Sequence, residues 1–597
     1  MLKQSISLVL LCFAGHTFAA DIVVNTTEDV VAADDKCSLR EAIEYINQGR
    51  PEAGFNGCGG KETTDTIYLQ SLTYNLNKEI LISKAVTLRT RYESDLNSNL
   101  LGKHNAVIKM TGTDRIFNID RRSETTDTKD DDNARISVNF HEITLNGCDA
   151  VLCKDQGGLI YNKESLNFYN SQLLNGKAKS GGAIYSAGKF DLLKTPGFVS
   201  IANSVMQGNK AENGAVIFSD TPQYLVNSSV VRDNEVTLSS AALFDSLEGF
   251  DDKTIVNVSG ARGISNSTIF NNKGHTIRVM DLMVVRNITM ILNSKGLILD
   301  APLKYGYVGN SILAKNGTED CTILNGGIAN NLSNNLYSNG CAGTFSQSLG
   351  ATNLIASSSS EGVCDITSDG ILCPFKEYSD SSLGYFRPRL LERYQSLNDS
   401  PIVNKGPLSG SGVISCETSD QRLIKRNNIW ELCDRGAIEL RVDLNTIELV
   451  GADILYGDVA KMSIRDQLVD GELITPAQCQ KLFGNEPNGG AWQPGCLKIV
   501  QSPHVPSKGK LTLTQDGDIS YQPGSDFHGS DQFKISVITT TTYFSDSLNK
   551  RIEIQTNVVQ DPPDTFKDYS VKTSGGSFGL AGLMVLLGLI TLRRNKK

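Results

Sequence analysis

Residues 170–184 read NSQLLNGKAKSGGAI, an Asn-Ser pair followed eleven residues later by a run of small residues ending in isoleucine. Both marks recur along the chain. The Asn mark precedes a short run at six places, namely Asn170, Asn203, Asn227, Asn266, Asn287 and Asn310. The small-residue mark stands at four, namely Gly157-Gly158, Gly181-Gly182, Asn213-Gly214 and Ser239-Ser240.

The spacing between the two marks is constant on one side only. An Asn is followed by the next small pair after 11, 10 and 12 residues, whereas a small pair is followed by the next Asn after 13, 22, 14 and 27 residues. Stacked coils must keep their strands in register, while turns on one side can grow freely. The sequence therefore predicts a solenoid with roughly one coil per 21 to 25 residues once insertions are subtracted.

Short alternating strands fill the region 65–439. Val138 and Phe140 alternate with polar residues, and helical periodicity is nearly absent. Asn at a turn can take the left-handed conformation, and Gly avoids a Cβ clash there. These features predict an all-β fold, a right-handed parallel β-helix. We expect one column of stacked turn residues that includes Asn170, Asn203 and Asn227.

A helix is predicted before the coils, in an N-terminal cap over residues 20–64. Ser38 is suited to the N-cap, with Glu41 three residues on as its capping-box partner. Arg40 and Glu41 are therefore expected to serve in ion pairing at the helix cap and not in catalysis.

Several motifs resemble those of known surface proteins. Residues 37–43 are similar to the CSLREA motif found in many exported bacterial β-helix proteins. The runs at 181–184 and 270–272 resemble repeats of polymorphic outer-membrane proteins, and 433–439 resembles the closing segment of the same broad class. The resemblance covers residues 37–439 and implies a cell-surface β-helix.

Both ends of the chain resemble export signals. Lys3, an apolar run and a small-x-small site predict a signal peptide over 1–19, removed by signal peptidase after Ala19, with cleavage after Ala20 as the alternative. Residues 561–574 are expected to be a linker. The tail 575–597 has an apolar run of 15 residues, 578–592, and a basic end. At about 1.5 Å per residue this run reaches roughly 22 Å, a marginal membrane span.

That tail resembles the GlyGly-CTERM sorting signal of Gram-negative bacteria, through Gly575, Gly576 and Ser577. The resemblance implies cleavage by a rhomboid-type sortase and delivery to the outer cell surface by type II secretion, after transient anchoring in the inner membrane. A plain C-terminal membrane anchor is the alternative.

Cysteine usage agrees with export. Cys12 is expected to leave with the signal peptide, and an even set of twelve remains. Zinc is the alternative to disulfides, but no Cys-x-x-Cys spacing occurs and His is scarce. We therefore predict structural disulfides between sequence neighbours. The candidates are Cys37, Cys58, Cys148, Cys153, Cys321, Cys341, Cys364, Cys373, Cys416, Cys433, Cys479 and Cys496.

A smaller domain is predicted over 440–560. Residues 509–533 resemble bacterial cadherin-like or immunoglobulin-like repeats, with Asp516-Gly517 as a hairpin turn. The resemblance implies a spacer or a weakly adhesive module. We expect Cys479 and Cys496 to staple an insertion in this domain. Four acidic side chains of this module are candidate Ca²⁺ ligands, although solvated turn carboxylates are the favoured interpretation. They are Asp516, Asp518, Asp526 and Asp531.

Charge and composition exclude some functions. Between the two termini the chain has 52 basic and 66 acidic residues, so it is expected to repel nucleic acid. The acidic run Asp130-Asp131-Asp132, with Glu124 and Asp127, is expected to be a solvated insertion, with calcium binding as the alternative.

Catalytic signatures are weak. Gly274-His275-Thr276 lacks the second Gly of the polygalacturonase Gly-His-Gly motif. Four carboxylates are candidates for one face of the coils, but their spacing fixes no catalytic pair; these are Asp220, Asp245, Asp281 and Asp300.

The sequence therefore predicts a non-enzymatic, adhesin-like surface protein without a cofactor, which binds glycan or another cell surface. We expect the insertions 189–198 and 247–263 to form the binding surface. A polysaccharide lyase or glycoside hydrolase on the same scaffold is one alternative, and a structural surface or biofilm component is another.

Overall fold

The computed structural model describes residues 20–562 except 62, 93–103, 122–134, 189–195, 250–261, 301–305, 325–330, 361–362, 366, 378–382, 408–414, 427–431, 443–445, 466–467, 469, 501–508, 526, 528 and 548. Parallel strands in this part of the chain form three long sheets. The chain visits sheet 1, sheet 2 and sheet 3 in turn and then returns to sheet 1. This path produces the stacked coils of a parallel β-helix-like, all-β fold.

Each sheet is listed here in chain order. Sheet 1 consists of Ala20–Val23, Thr63–Gln70, Val86–Arg91, Ser137–His141, Ser165–Tyr169, Phe198–Ala202, Tyr224–Asn227, Gly263–Ser265, Val284–Arg286, Tyr307–Gly309 and Leu332–Ser333. Sheet 2 consists of Thr73–Leu76, Ala106–Met110, Ile143–Asn146, Gln172–Leu174, Val205–Gln207, Val230–Arg232, Thr268–Phe270, Thr289–Ile291, Ile312–Ala314, Leu336–Tyr337 and Gln347–Ser348. Sheet 3 consists of Ile80–Ile82, Phe117–Ile119, Ile160–Asn162, Ile184–Ser186, Ile217–Ser219, Ala242–Ser246, His275–Val279, Leu297–Leu299 and Cys321–Ile323.

Alternation of apolar and polar residues places one set of side chains inside the coils. Val138 aligns with Leu166, and Phe140 with Phe168, in adjacent strands of sheet 1. The two phenylalanine rings stack with centroids 4.9 Å apart. Each such side chain contributes about 1.5–3 kcal/mol when fully buried, so the repeated rows make up the core.

The corner between sheets 1 and 2 is a column of left-handed residues. Asn170 and Asn203 lie in it with φ of 50° and 49°, and the side-chain amide of Asn203 donates to Asn170 Oδ1. The prediction for Asn227 is wrong by one residue. Asn227 aligns with Ala202, so Ser228, with φ of 50°, occupies the column. The next residue, Ser229, aligns with Ser204 of the preceding coil. The Ser229 hydroxyl accepts a hydrogen bond from the backbone amide of Ser204.

A second column of asparagines, buried near the turn after sheet 2, links successive coils through side-chain hydrogen bonds. From Asn209 to Asn293, each Nδ2 donates to the side-chain oxygen of the asparagine in the next coil at 2.8–3.0 Å, and Asn316 Nδ2 donates at 2.9 Å to Asp320, four residues further along the chain. We call this column the amide ladder, and it consists of Asn209, Asn234, Asn272, Asn293, Asn316 and a terminal Asp320. Within the coils, amides therefore satisfy one another where a solvent-exposed turn would use water.

The long insertions of the coil stack lie mostly at one corner, as the spacing predicts. Five connections from sheet 3 to sheet 1 cover 120–136, 187–197, 247–262, 300–306 and 324–331. From Ser137 onward, the connection from sheet 1 to sheet 2 is only one or two residues long. A separate insertion, 92–105, interrupts that corner in an earlier coil.

The helix Leu39–Asn47 precedes the coils. Ser38 and Glu41 form the capping box, and the disulfide Cys37–Cys58 ties the segment together. Arg40 pairs with Asp29 at 2.7 Å, so it serves an ion pair at the helix start as expected.

The parallel ladders of the three long sheets end at Ser348 and not at residue 439. The following segment, 349–442, folds back along the outside of sheet 2, and we call it the return segment. Phe375 and Phe386 pack on Phe270 with ring centroids 4.4 and 5.1 Å away. Apolar residues of this segment cover the outward-facing side chains of sheet 2 from Val205 to Leu336. The outer face of these strands is thus a second core.

Two further sheets form a second unit with its own apolar core. One sheet contains Thr446–Ile454, Ile552–Gln560, Gly529–Val537 and Lys498–Val500, and the other contains Ala460–Ser463, Asp518–Pro523 and Gly509–Leu513. A helix covers Pro476–Phe483. Smaller strand pairs are Lys154–Gln156 with Ala178–Ser180, Lys210–Ala211 with Glu235–Val236, and Ser358–Ser360 with Val363–Cys364.

Buried ion pairs join the second unit to the return segment. Arg422 contacts Asp420 at 2.7 Å and Asp470 at 2.6 Å, and Arg387 pairs with Glu472. Burial alone would raise the pKa of Asp470, but Arg422 and the neighbouring arginines lower it to about 2. The break expected near residue 440 is therefore a packed, charged interface.

All twelve predicted cysteines form disulfides with their sequence neighbours, which confirms the pairing. The six bonds are Cys37–Cys58, Cys148–Cys153, Cys321–Cys341, Cys364–Cys373, Cys416–Cys433 and Cys479–Cys496.

Candidate functional site

The outer face of sheet 1 in the N-terminal coils carries two aligned rows of polar and aromatic side chains. Successive strands stack these residues in register. The first row is Tyr68, Arg89, His141 and Tyr169, and the second row is Thr87, Asn139, Asn167 and Ser200. We call this surface the sheet 1 face.

The first row combines aromatic rings with positive charge. Tyr169 is 42% exposed, and its ring centroid lies 6.1 Å from that of His141. The guanidinium of Arg91 lies 5.8 Å from the Tyr68 ring centroid. Three strand spacings of about 4.8 Å separate Tyr68 from Tyr169, so the row extends for roughly 14 Å. A flat row of this length suits an extended ligand more than a small enclosed one.

The second row offers amides and hydroxyls. Asn167 Nδ2 donates to Asn139 Oδ1 at 3.0 Å, and Asn139 Nδ2 donates to Thr87 Oγ1 at 3.3 Å. These side chains are partly exposed, so they retain hydrogen-bonding capacity toward solvent. Such amides and hydroxyls can both donate to and accept from hydroxyl groups.

A glutamate with a left-handed backbone conformation lies at the edge of this face. Glu142 occupies the left-handed column with φ of 58°, where other coils have Asn or Ser. Its carboxylate lies 3.6 Å from Arg89 Nε. Burial raises the pKa of Glu142, and Arg89 opposes that shift. Burial, followed by the charge of Arg89, lowers the pKa of His141, so the imidazole is neutral at pH 7.

The described residues that flank three insertions lie where the chain enters sheet 1. Arg135 ends the first insertion, Phe198 follows the second, and Arg262 ends the third. The Arg135 guanidinium lies 5.8 Å from the Phe198 ring centroid. Gln223 Oε1 accepts from Arg262 Nη2 at 3.2 Å. We call Arg135, Phe198, Gln223 and Arg262 the insertion corner.

In the insertion corner, the charge of Arg135 acts on the pKa of Arg262. Burial, followed by the like charge of Arg135, lowers the pKa of Arg262 to about 10. Burial also lowers the pKa of Arg135, with Glu164 opposing. Both oxygens of Glu164 already accept backbone amides, from Arg121 at 2.9 Å and Ile136 at 3.0 Å. In the described part of the chain, Gln223 Nε2 is buried without a hydrogen-bond partner.

The predicted carboxylates of the coils do not form a catalytic pair in their described contacts. Arg278 bridges Asp245 at 2.6 Å and Asp300 at 2.8 Å. Asp220 accepts from Tyr185 Oη at 2.6 Å and from the amide of Gly188 at 2.8 Å. Asp281 lies in the turn that follows His275–Val279. Three of the four carboxylates therefore hold neighbouring strands and turns.

His275 has a structural contact as well. Its Nδ1 lies 3.2 Å from the carbonyl oxygen of Gly296 in the next coil. Burial lowers the pKa of His275, so the imidazole is neutral at pH 7.

The described carboxylates that the sequence suggested for Ca²⁺ in the second unit do not share one site in their contacts. Asp518 pairs with Arg465 at 3.0 Å, and Asp531 accepts from the Tyr521 hydroxyl. Arg465 Nε also donates to the backbone oxygen of Asp516. Asp526 lies outside the described residues, as do Glu124, Asp127 and Asp130-Asp131-Asp132.

One group of potential metal ligands occurs among the described residues: Cys364, Cys373 and Glu472. The two cysteines form a disulfide, so their thiolates are not available to a metal ion. A surface cavity of about 410 Å³ is lined by Asp233, Glu235, Lys273 and neighbouring asparagines. Glu235 pairs there with Lys210 at 2.8 Å, which offsets its charge.

Sequence reasoning predicted the insertions as the functional side and did not single out the described residues between them. Arg135, Gln223 and Arg262 come from three different coils, and unequal insertion lengths hide their alignment. For the sheet 1 face, the available signal was the outward position of each strand, which alternates with the apolar core residues.

The predicted processing residues Ala19, Gly575, Gly576 and Ser577 lie outside the described residues, as does the C-terminal apolar run. Within the part that is described, no helix has the length and apolar character needed to cross a bilayer. Searches of family models, curated proteins and solved structures returned no match to this chain.

Proposed function

We propose that this chain is an exported surface protein that binds glycan on the sheet 1 face without cleaving it. The single observation that carries the proposal is the pair of aligned rows, in which the exposed ring of Tyr169 and the partly exposed rings of Tyr68 and His141 lie beside amides and hydroxyls. Tyrosine offers an apolar ring for stacking and a polar tip, while the amides supply directional hydrogen bonds. Together they suit the flat, hydroxylated surface of a sugar polymer.

The six disulfides support placement outside the cytoplasm, because such bonds persist in oxidising compartments. The proposed protein is a right-handed parallel β-helix whose second unit, cadherin- or immunoglobulin-like by its resemblance, lies toward the membrane. Signal peptidase would release residues 1–19, and a rhomboid-type sortase would process the tail before type II secretion delivers the protein to the cell surface. Mass spectrometry of the surface form tests the sorting step, which fails if residues 577–597 remain attached.

Binding to immobilised polysaccharides tests the main proposal. Tyr169→Ala is expected to weaken retention roughly tenfold through loss of stacking area. Tyr456 is a matched control because it is 43% exposed in the second unit. Equal losses for Tyr169→Ala and Tyr456→Ala would refute the assignment to the sheet 1 face, and lack of retention on every polymer would favour a structural surface component.

Polysaccharide cleavage is the second candidate function, and Glu142 is the observation that favours it. Strained backbone and raised carboxyl pKa values recur at catalytic sites. Incubation with the same polymers, with and without Ca²⁺, separates the two functions. Chain cleavage that disappears in Glu142→Gln would support an enzyme, whereas retention of intact polymer supports a binding protein.

A further inference from the structure

We infer that the surface cavity beside the amide ladder binds a single neutral sugar residue, such as the terminal residue of a glycan. This cavity of about 410 Å³ lies at the turn after sheet 2, whereas the sheet 1 face lies on the strands of sheet 1. We call it the ladder cavity. The site goes beyond the proposed function and does not rest on it.

Two rows of side chains from three successive coils line the ladder cavity. The first row is Asp233, Asn271 and Leu292, and the second, two residues later in each coil, is Glu235, Lys273 and Ser294. The ladder residues Asn234, Asn272 and Asn293 are buried between the rows. Pockets for small ligands measure about 300–1,000 Å³, so the ladder cavity has room for one sugar ring and not for a long chain.

Leu292 is the residue that points to a ligand. It has a left-handed backbone with φ of 57°, and the aligned residues of the four preceding coils are Asn175, Gly208, Asp233 and Asn271. Those residue types tolerate this conformation better than leucine does. The Leu292 side chain is 45% exposed, so burial in the core does not explain its position either. Strained backbone of this kind occurs at functional sites, and an exposed apolar side chain in a polar cavity suits the apolar face of a sugar ring.

The polar side chains of the first row suit the hydroxyl groups of such a ring. Asp233 accepts from Asn271 Nδ2 and, at 3.1 Å, from Gln207 Nε2, and each carboxylate oxygen has a further lone pair for a hydroxyl donor. The contact with Asp233 uses one N–H of Asn271, whose side chain is exposed. A carboxylate and an amide in contact can therefore bind hydroxyls on neighbouring carbons while the ring packs on Leu292.

The charges at the ladder cavity favour a neutral ligand. Glu235 pairs with Lys210 at 2.8 Å and with Lys273 at 3.6 Å. Arg232 Nε lies 3.8 Å from Asp233 Oδ2. Each carboxylate that lines the cavity therefore has a cation beside it, so the local charge selects neither a cation nor an anion.

Titration of the full-length protein with methyl glycosides of glucose, galactose, mannose and N-acetylglucosamine tests the inference by calorimetry. We expect at least one glycoside to bind saturably. Leu292→Asn should weaken that binding about tenfold through loss of apolar contact. Because asparagine suits the left-handed position, the same variant should have an equal or higher thermal midpoint without sugar, which separates loss of binding from loss of folding.

Leu423→Asn is the matched control. Leu423 is also left-handed, with φ of 65°, and is 51% exposed, but it lies in the return segment. This variant should bind the glycoside as wild type does. Asp233→Gly is the second test, since Gly208 occupies the same position in the preceding coil, and it should weaken binding about tenfold through loss of the hydroxyl acceptor.

Unchanged affinity in both Leu292→Asn and Asp233→Gly would overturn the inference, as would equal losses in Leu292→Asn and Leu423→Asn. Glycoside binding that Tyr169→Ala abolishes and Leu292→Asn leaves intact would place the sugar on the sheet 1 face, so the glycan function would stand and the ladder cavity would fail. Absence of saturable binding for every glycoside would overturn the inference whether or not the sheet 1 face retains polymers.

Discussion

Replacing Asn272 by Ala should open the amide ladder at its centre. Asn272 Oδ1 accepts from the backbone amide of Asn234 at 2.9 Å and from its Nδ2 at 3.0 Å. Asn272 Nδ2 donates to Val231, Phe270 and Asn293 oxygens at 2.8–3.1 Å. Alanine removes this acceptor, but Asn234 Nδ2 keeps the carbonyl oxygens of Met206 and Arg232, so the buried backbone N–H of Asn234 is the donor left without its acceptor. At about 1–3 kcal/mol for an unsatisfied buried donor, the local cost is roughly 1–3 kcal/mol.

Hydrogen exchange measured by mass spectrometry gives a direct readout, because one lost bond belongs to the Asn234 backbone amide. Since about 1.4 kcal/mol corresponds to a factor of ten, protection of that amide should fall by roughly 5-fold to 140-fold. Lys273→Ala is the neighbouring control, since its side chain is 75% exposed and its contact with Glu235 spans 3.6 Å. Wild-type protection at Asn234 in Asn272→Ala would refute the view that side-chain amides hold the coils together.

Other measurements test separate parts of the fold. Removing the disulfide Cys37–Cys58, which spans 21 residues, should lower the free energy of unfolding by about 3 kcal/mol. Removing Cys148–Cys153, which spans five residues, should lower it by about 2 kcal/mol. Chemical denaturation of the two variants would show this order. Because the folded pKa of Asp470 is below its usual value, its contribution of about 2 kcal/mol is present above pH 4 and is lost as the pH falls toward 2. A flat thermal midpoint across that range would contradict this. At pH 7, Asp470→Asn should lower the free energy of unfolding by about 3–5 kcal/mol, because Arg422 loses one buried partner. The control Asp518→Asn removes an exposed ion pair and should lower it by under about 1 kcal/mol.

The coil stack could be predicted because its strands repeat a register that every layer must share. Asn170 and Asn203 marked the corner correctly, since a left-handed turn restricts the residue that occupies it. The prediction for Asn227 was wrong because Ser228, the next residue, adopts the left-handed conformation in this coil. The amide ladder left a signal that could have been used: in five coils its Asn follows the left-handed residue by six positions, as in Asn203 and Asn209.

The return segment could not be predicted from periodicity. Its apolar residues, such as Phe375 and Phe386, stand in short runs like those of the coils, but they pack on outward-facing side chains of strands over a hundred residues earlier. Such contacts depend on tertiary proximity, which no local pattern encodes. The insertion corner could not be predicted either, because insertions of unequal length separate Arg135 from Arg262 in the sequence.

The return segment also determines how the molecule would carry mechanical load. A bare solenoid pulled from its last coil peels one layer at a time, since each layer contacts only its neighbours. Here tension from the C-terminal side enters through the second unit and reaches 349–442, which spans strands from Val205 to Leu336. Several layers are therefore loaded together in shear, so rupture requires many contacts to break at once. Such a build suits a protein tethered at one end while its other end holds a ligand in flow.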